Sequence, residues 1–262
     1  MEYFLTKDRL FSILRKNLSK LGDNMKLEIC VDNYESLITA VNNGADRIEL
    51  CASLQEGGLT PPYSFIEAAL TVGVPVFVMI RPRSCDFLYS EAEIEMMHRD
   101  IYVAKKLGAP GIVCGVLTPK GEIDAIVMRS LVKEAAGMDV TCHRAVDQVN
   151  DIYSAIDTLV GLGVKRILTS GQGETPFEGI GILTQMVQHA QNRIKLMAAG
   201  VTPQDVREII NKTQVDEVHS AAATSRSSRM QYIKSDAKMG HGDDFSLNIV
   251  SGEMVRAIKA EL

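Results

Sequence analysis

Eight short apolar runs, each followed by a longer segment with helical periodicity, recur between residues 26 and 220 of this chain. Strict alternation of strands and helices predicts a parallel sheet with helices packed outside it. Eight repeats are the number that closes such a sheet into a (β/α)8 TIM-type barrel, so we expect a single α/β domain over residues 25–262. The predicted strands cover residues 26–31, 46–51, 75–80, 111–116, 139–144, 165–170, 194–199 and 216–220.

Loop composition distinguishes the two rims of this predicted barrel. The motifs NGADR, KLGAP and GLGVKR place a glycine at a helix end and begin the next strand at once, which predicts short turns on the stability face. The loops after the strands, including SLQEGGLTPP, RPRSCDFLYS and SGQGETP, are longer and more polar and should form the active face. The predicted helices cover residues 35–43, 62–72, 91–107, 124–136, 152–161, 177–190, 203–210 and 254–261.

Two segments lie outside the alternation. Residues 1–24 repeat leucines at helical spacing between basic residues, which predicts an added N-terminal amphipathic helix. This extension either packs on the domain or is an over-extended start ahead of Met25, and its acidic residues disfavour a targeting peptide. Residues 221–248 are polar and serine-rich, and this segment either folds over the pocket or forms an oligomer contact.

The composition excludes several classes of protein. A total of 28 Lys and Arg against 33 Asp and Glu gives a net charge of −5, which argues against general nucleic-acid binding. No stretch of the sequence approaches the ~20 apolar residues that a membrane span requires. The five cysteines are an odd number without a secretory signal, so we expect reduced thiols in a cytoplasmic protein.

One polar pattern appears twice, 21 residues apart: Glu28 and Cys30 in KLEICV, and Glu49 and Cys51 in DRIELC. Residues i and i+2 of a strand point to the same side, so each strand presents an acid and a thiol together. Equivalent positions on adjacent strands lie about 4.8 Å apart, which would bring the two sulfurs close together. Because buried carboxylates need a cation or donor, this face is either a functional pocket or a set of buried Glu–Arg pairs.

The two cysteines have competing interpretations. Thiolates on a shared face suit Cu(I) or, with further ligands, zinc. Free cysteine is also a small residue that is usually buried as a hydrophobe, and the chain has no CxxC, Met-rich or His-x-His motif that would favour a metal. A disulfide between the two is disfavoured in the cytosol.

Candidate partners for these acids stand at the ends of later strands. Arg81 and Arg83 in RPR either clamp a carboxylate or phosphate or pair with the two glutamates. His143 in CHRAVD, with Arg144 after it, and His219 in EVHS are candidates for acid–base chemistry or ligand binding. Either histidine could instead donate to a backbone carbonyl.

The loop after the sixth predicted strand, SGQGETP, is where TIM-type barrels commonly bind phosphate. Ser170, Gly171 and Gly173 would let the backbone approach an anion, whereas the loop after the seventh strand has the single Gly200 and fits poorly. No lysine ends a strand, which disfavours a Schiff-base aldolase, and no Asp-x-Asp motif offers a magnesium site. No organic cofactor is implied.

Taken together, the segments LEIC, NGADRIELCASLQEGGLTP, IRPR with DFLYS, HRA-x-D, LTSGQ and EVHSAA resemble the CutC family, which is named for copper homeostasis. The resemblance runs from about Met25 to the C terminus. It implies a TIM-type barrel, a cytoplasmic location, homo-oligomers and Cu(I) binding through Cys30 and Cys51. Two features depart from the family pattern, because residues 1–24 lie outside it and AAGV replaces a glycine-rich turn after the seventh strand.

Three hypotheses follow. The first is a cytoplasmic copper-homeostasis protein that binds Cu(I), and the second is an enzyme that acts on a small anionic molecule at the rim. The third, a non-catalytic scaffold, is expected if the Glu and Arg side chains are fully paired and the barrel mouth is closed. The candidate catalytic residues are Glu28, Glu49 and His143; the candidate ligand-binding residues are Arg81, Arg83, Arg144, Ser170, Gly171 and His219; the candidate metal ligands are Cys30 and Cys51.

Overall fold

A computed structural model describes residues 25–234, 236–239 and 243–262 of the chain. Its strands are β1 (Lys26–Val31), β2 (Arg47–Leu50), β3 (Val76–Met79), β4 (Gly111–Cys114), β5 (Asp139–Cys142), β6 (Arg166–Thr169), β7 (Lys195–Ala199) and β8 (Glu217–Ser220). All eight are parallel and pair in chain order, and β1 pairs with β8 to close the barrel. The predicted (β/α)8 TIM-type barrel is therefore confirmed. The predicted helix within residues 1–24 lies outside the described residues.

Helices follow the strands and cover the barrel. They are α1 (Tyr34–Asn42), α2 (Tyr63–Ala69), α3 (Glu91–Leu107), α4 (Ala125–Glu134), α5 (Ile152–Gly161), α6 (Ile180–Ala190), α7 (Val206–Thr213) and α8 (Gly252–Ala260). Helix α3 shows how local sequence sets these bounds, because Ser90 and Glu93 form a capping box and Gly108 ends the helix at a φ of 89°. Helix α6 begins later than predicted, since Thr175 and Gly179 first close a separate turn.

The main hydrophobic core lies between the barrel and its helices. Ile29, Ile48 and Ile112 on the strands pack in one cluster with Leu37 of α1 and Met97 of α3, all of them fully buried. Every second strand residue faces the helices and is apolar for this reason. The residues between them face the barrel interior. No helix in the described part of the chain combines the length and apolar composition needed to cross a membrane.

The polar segment after β8 forms a hairpin of two antiparallel strands, β9 (Ala223–Ser227) and β10 (Ser246–Val250). This hairpin lies against α1. Arg226 donates Nη2–H to the Glu35 carboxylate at 2.6 Å, and the backbone N–H of Val250 donates to Ser36 Oγ at 3.0 Å. The two strands of this hairpin therefore pack on the side of the barrel, whereas the sequence had left open a fold over the pocket or an oligomer contact.

A charged layer fills the end of the barrel interior where the strands begin. Arg47 forms ion pairs with both Glu28 and Glu217, and Arg166 Nε lies 3.2 Å from Glu217 Oε2. The ring of Phe77 lies 5.0 Å from each of the two guanidinium carbons. Burial raises the pKa of Glu28 against the opposing effect of Arg47, whereas at Glu217 the arginines outweigh burial and lower the pKa. This layer closes the barrel beneath its mouth.

Candidate functional site

A cavity of about 610 Å3 opens among the loops at the carboxyl ends of the strands. Leu54, Met79, Phe87 and Leu168 supply apolar walls. The sequence-predicted candidates that line the cavity are Cys30, Glu49, Arg81, His143, Arg144 and His219. The mouth is therefore an open space with apolar walls and several polar side chains, which is the arrangement expected of a TIM-barrel active face rather than of a closed scaffold.

Cys30, Glu49 and His219 form a buried cluster on one side of the cavity. A sulfur, a carboxylate oxygen and a ring nitrogen from these residues lie within 4.8 Å of one another. His219 Nε2 is 3.1 Å from Glu49 Oε2. Burial opposes the charged imidazolium, but Cys30 and Glu49 outweigh it and raise the pKa of His219 well above its usual range. The three donors present one soft, one intermediate and one hard ligand atom to the same point.

Strand register explains why this cluster contains one cysteine. Cys30 of β1 pairs with Glu49 of β2, and Glu28 pairs with Arg47, so the twin Glu-x-Cys motifs are staggered by two residues. The expectation that Cys30 and Cys51 occupy equivalent positions was therefore wrong. A closed barrel staggers its strands, so two copies of the Glu-x-Cys pattern on neighbouring strands do not lie at the same height.

Cys51 lies beneath the loop that follows β2. Its side chain is 0% exposed and packs with Phe77, Met79 and Val113. Gly58 is close enough that an added Cβ would lie 3.0 Å from Cys51 Sγ. Burial, reinforced by the charge of Glu49, raises the pKa of the Cys51 thiol well above its usual range. Cys51 does not line the cavity, and its role as a metal ligand stays a prediction.

Glu28 also lies outside the cavity lining. It is fully buried in the charged layer and is bound by Arg47. Glu28 therefore forms a buried Glu–Arg pair, which was one of the two alternatives. Its partner is Arg47 at the start of β2, and not an arginine of the RPR segment. A catalytic role of Glu28 stays a prediction from the sequence.

The two arginines of the RPR segment have separate environments. Arg81 is 5% exposed, and its Nη groups donate to the carbonyl oxygens of Glu56, Gly58 and Cys85 at 2.7, 3.1 and 2.9 Å. Its buried Nε has no hydrogen-bond partner among the described residues. Neither Arg81 nor Arg83 pairs with Glu28 or Glu49 within the described part of the chain, so that predicted pairing was wrong.

Arg83 holds the loop after β3 together from outside the cavity. Its guanidinium lies 3.0 Å from Asp86 and 2.7 Å from Glu93, and it stacks on Tyr89 at 5.1 Å. The guanidinium of Arg83 therefore already has two carboxylate partners. Its role in ligand binding stays a prediction from the sequence.

The His143 ring lies in the cavity wall, and one of its two nitrogens has a hydrogen-bond partner. Its Nδ1 accepts from the backbone N–H of Ala145 at 3.2 Å, so the neutral ring carries its proton on Nε2, which has no partner among the described residues. Burial, followed by the charge of Arg81, lowers the pKa of His143 to about 4. Gly115 makes room for the ring, because an added Cβ there would lie 2.8 Å from it. At neutral pH His143 is therefore an uncharged ring in the cavity wall, with an Nε2–H that has no partner among the described residues.

The SGQG loop is organised by an acid of the protein itself. The Asp147 carboxylate accepts from the backbone N–H groups of Ser170 and Gln172 at 3.1 and 3.2 Å, and from Thr169 Oγ1 at 2.5 Å. Arg144 donates to the same carboxylate at 2.8 Å. Of the residues that the sequence suggested for a phosphate, Ser170 thus already donates its backbone N–H to Asp147, and Gly171 donates its own to Thr169 Oγ1.

Glycines pack this loop tightly against the next helix. An added Cβ at Gly171 would lie 2.5 Å from the carbonyl oxygen of Gly179, and one at Gly179 would lie 1.8 Å from that of Ser170. Ser170 and Gly171 are thus buried parts of the loop support and do not line the cavity. Their predicted ligand-binding roles stay predictions.

Sequence reasoning missed Arg47, Arg166 and Glu217, which form the floor beneath the site. A signal for two of them was present, because Arg47 stands two residues before Glu49, and Glu217 two before His219. Alternation places each pair on one face of its strand. The anchoring role of Asp147 had no comparable signal, since it depends on a loop contact with β6.

Comparison with known proteins identifies the family to which this chain belongs. The family model described as the CutC family matches residues 25–224. The chain belongs to the CutC family. A CutC family protein of Histophilus somni (strain 2336) is 47% identical over 239 residues, which cover 90% of this chain and 98% of the relative. A CutC family protein of Glaesserella parasuis serovar 5 (strain SH0165) is 47% identical over 237 residues, which cover 89% and 97%.

A solved structure from the CutC family matches the barrel closely. The crystal structure of the Streptococcus agalactiae protein superposes with a TM-score of 0.72 at 34% identity, covering 75% of this chain and 98% of that one. The CutC match and the eight-stranded barrel thus agree on the same fold, as the sequence resemblance implied.

Proposed function

We propose that this chain is a copper-homeostasis protein that binds one metal ion at the Cys30–Glu49–His219 cluster. The observation that supports this is the convergence of a sulfur, an oxygen and a nitrogen within 4.8 Å in a buried wall of an open cavity. The Streptococcus agalactiae relative is itself named for copper homeostasis. The cytoplasmic location and homo-oligomeric assembly implied by the resemblance belong to the same proposal.

The donor set fits Cu(I) through two of its members. Thiolate and imidazole are ligands that Cu(I) accepts, and Glu49 Oε2 can orient the His219 ring at 3.1 Å. Glu49 Oε1 is buried and has no hydrogen-bond partner among the described residues, so the carboxylate retains a free ligand atom. With that oxygen included, the set of Cys, His and Glu also fits zinc.

An anaerobic Cu(I) titration against a competing chelator tests the proposal and separates it from the two-cysteine hypothesis. We expect one Cu(I) per chain in the wild type, at least tenfold weaker binding in Cys30→Ser and His219→Ala, and nearly unchanged binding in Cys51→Ser. Equal losses in the two cysteine variants would restore Cys51 as a ligand. Wild-type binding in Cys30→Ser would refute the site, and a parallel zinc titration shows which metal it prefers.

A second candidate function, an enzyme that acts on a small anionic molecule, is favoured by a different observation. Arg81 Nε and His143 Nε2 are buried nitrogens without partners among the described residues, and both residues line the cavity. Unsatisfied donors in a cavity are typical of a ligand site. A thermal-shift screen of small anions on wild type and Arg81→Ala tests it, and the absence of any wild-type response would count against it.

A further inference from the structure

Arg81 carries a buried positive charge that no carboxylate of the described residues neutralises by an ion pair. The contrast is with Arg47 and Arg166, the arginines of the charged layer, which both form ion pairs with Glu217. The guanidinium of Arg81 instead uses loop carbonyl oxygens and the face of Phe87, 5.1 Å from its central carbon. A buried charge without a counter-ion is costly, so this side chain favours an anionic ligand.

Arg81 and His143 are neighbours around one aromatic ring. The ring centroid of Phe87 lies 4.9 Å from that of His143, and the Arg81 guanidinium lies over the same phenyl ring. The charge of Arg81 acts on the pKa of His143, which also places the two groups close together. Each has one buried N–H without a partner in the described part of the chain, Nε–H and Nε2–H. Two cavity-lining residues thus each hold one N–H group that is buried just behind the wall and has no partner among the described residues.

Two observations favour a carboxylate over a phosphate as the ligand: the number of N–H donors, and the Asp147 carboxylate that already accepts the N–H groups of the SGQG loop. Two N–H groups match the two oxygens of a carboxylate, whereas a phosphate has three terminal oxygens to satisfy. The N–H groups of Ser170 and Gln172, where a barrel commonly holds phosphate, already donate to Asp147. The apolar walls from Leu54 and Leu168 suit a short carbon skeleton.

We propose that a small, unphosphorylated carboxylic acid binds in the cavity, and that Arg81 and His143 turn their Nε–H and Nε2–H groups toward its carboxylate. This inference rests on the second candidate function and names its ligand class. The carboxylate site is separate from the three residues of the metal cluster, although both face the same cavity.

Calorimetric titration of the full chain, without added metal, tests the carboxylate site. The probes are glycolate, pyruvate, succinate and benzoate, each paired with its neutral amide, with inorganic phosphate as a further probe. We expect at least one carboxylate to bind, its amide to bind at least tenfold more weakly, and phosphate to bind no better than the amide.

Variants assign the binding to the donor pair. Arg81→Lys keeps the charge but lacks the Nε–H, and His143→Asn keeps a side-chain oxygen that can cap the Ala145 N–H while being too short to reach the cavity. Each should weaken carboxylate binding at least fivefold. Arg99→Lys, a change at an exposed arginine of α3 outside the cavity lining, should leave it unchanged.

The outcomes are distinct from those of the metal proposal. Absence of carboxylate binding, equal binding of acids and amides, or full binding by both folded variants would overturn the inference. Carboxylate binding that persists in Cys30→Ser supports a site independent of the metal, while loss of binding in that variant would overturn this assignment. Binding of an acid without any turnover would support the carboxylate site and argue against the enzyme function.

Discussion

Arg47 links the two carboxylates of the charged layer and is the residue on which that layer depends most. It bridges Glu28 and Glu217 while its guanidinium lies over Phe77. Removing one partner from a buried ion pair leaves an uncompensated charge, which typically costs about 3–5 kcal/mol. We therefore expect Arg47→Met to lower the free energy of unfolding by about this amount in urea titrations. Arg99→Met, at an exposed pair with Glu95, is the matched control and should leave the unfolding midpoint unchanged.

His143 makes stability depend on pH, and the sign of this dependence follows from the lowered pKa of its buried ring. Its pKa is lowered to about 4 by burial, so between pH 6.5 and 4 the unfolded chain binds a proton that the native chain does not. The contribution of His143 to stability is fully present above pH 6.5 and is lost as pH falls toward 4. It amounts to roughly 3 kcal/mol at most, since one pKa unit corresponds to about 1.4 kcal/mol.

Comparison of unfolding free energies at pH 7 and pH 4.5 in wild type and His143→Asn isolates this contribution. The wild type should lose more stability on acidification than the variant does. An identical loss in both proteins would show that His143 titrates normally in the native state. Each protein is compared with itself at the two pH values, so the cost of the substitution cancels.

At the scale of elements, the contact between the SGQG loop and the start of α6 is the tightest junction near the site. A Cβ at Gly179 would lie 1.8 Å from the carbonyl oxygen of Ser170, a backbone atom that cannot move without its strand. Gly179→Ala should therefore destabilise the protein by about 3 kcal/mol or more through overpacking.

Gly181, two residues further along and inside α6, is the matched control. Nothing lies within 4 Å of an added Cβ there, so Gly181→Ala should stabilise the protein by roughly 0.5–1 kcal/mol through helix propensity. Melting temperatures of the two variants should move in opposite directions. A stable Gly179→Ala protein would mean that the loop yields easily, and its support of Arg144 and Asp147 would then need revision.

The elements themselves were predictable because their signals are local. Period-two alternation defined β1 at residues 26–31, and the Ser90–Glu93 box marks the start of α3. The β1–β2 register was not predictable, because a shift of two residues keeps every side chain on the same face. Strand ends therefore located Cys30, Glu49, His143 and His219, but only barrel closure determined that Cys30, not Cys51, joins Glu49 and His219 in the cavity wall.

At the scale of the whole molecule, the five cysteines differ in how much of each side chain solvent can reach. Cys85 is exposed in a rim loop, Cys30 is 5% exposed in the cavity wall, and Cys51, Cys114 and Cys142 are all 0% exposed. Burial raises the pKa of Cys114 to about 12, so the native thiol is also chemically unreactive. A closed barrel has no edge from which a single strand can detach, so the three fully buried thiols should become reactive through the same opening.

Timed alkylation with mass-spectrometric readout follows each thiol separately. We expect Cys85 to react first, Cys30 more slowly through the cavity, and the three buried cysteines last, with equal protection that falls together as urea is raised. Bound Cu(I) should slow Cys30 without changing Cys85, because the metal proposal uses only the former. Early reaction of Cys51 alone would show that the loop over it opens independently, which would give that thiol access to a metal and return it to the ligand set.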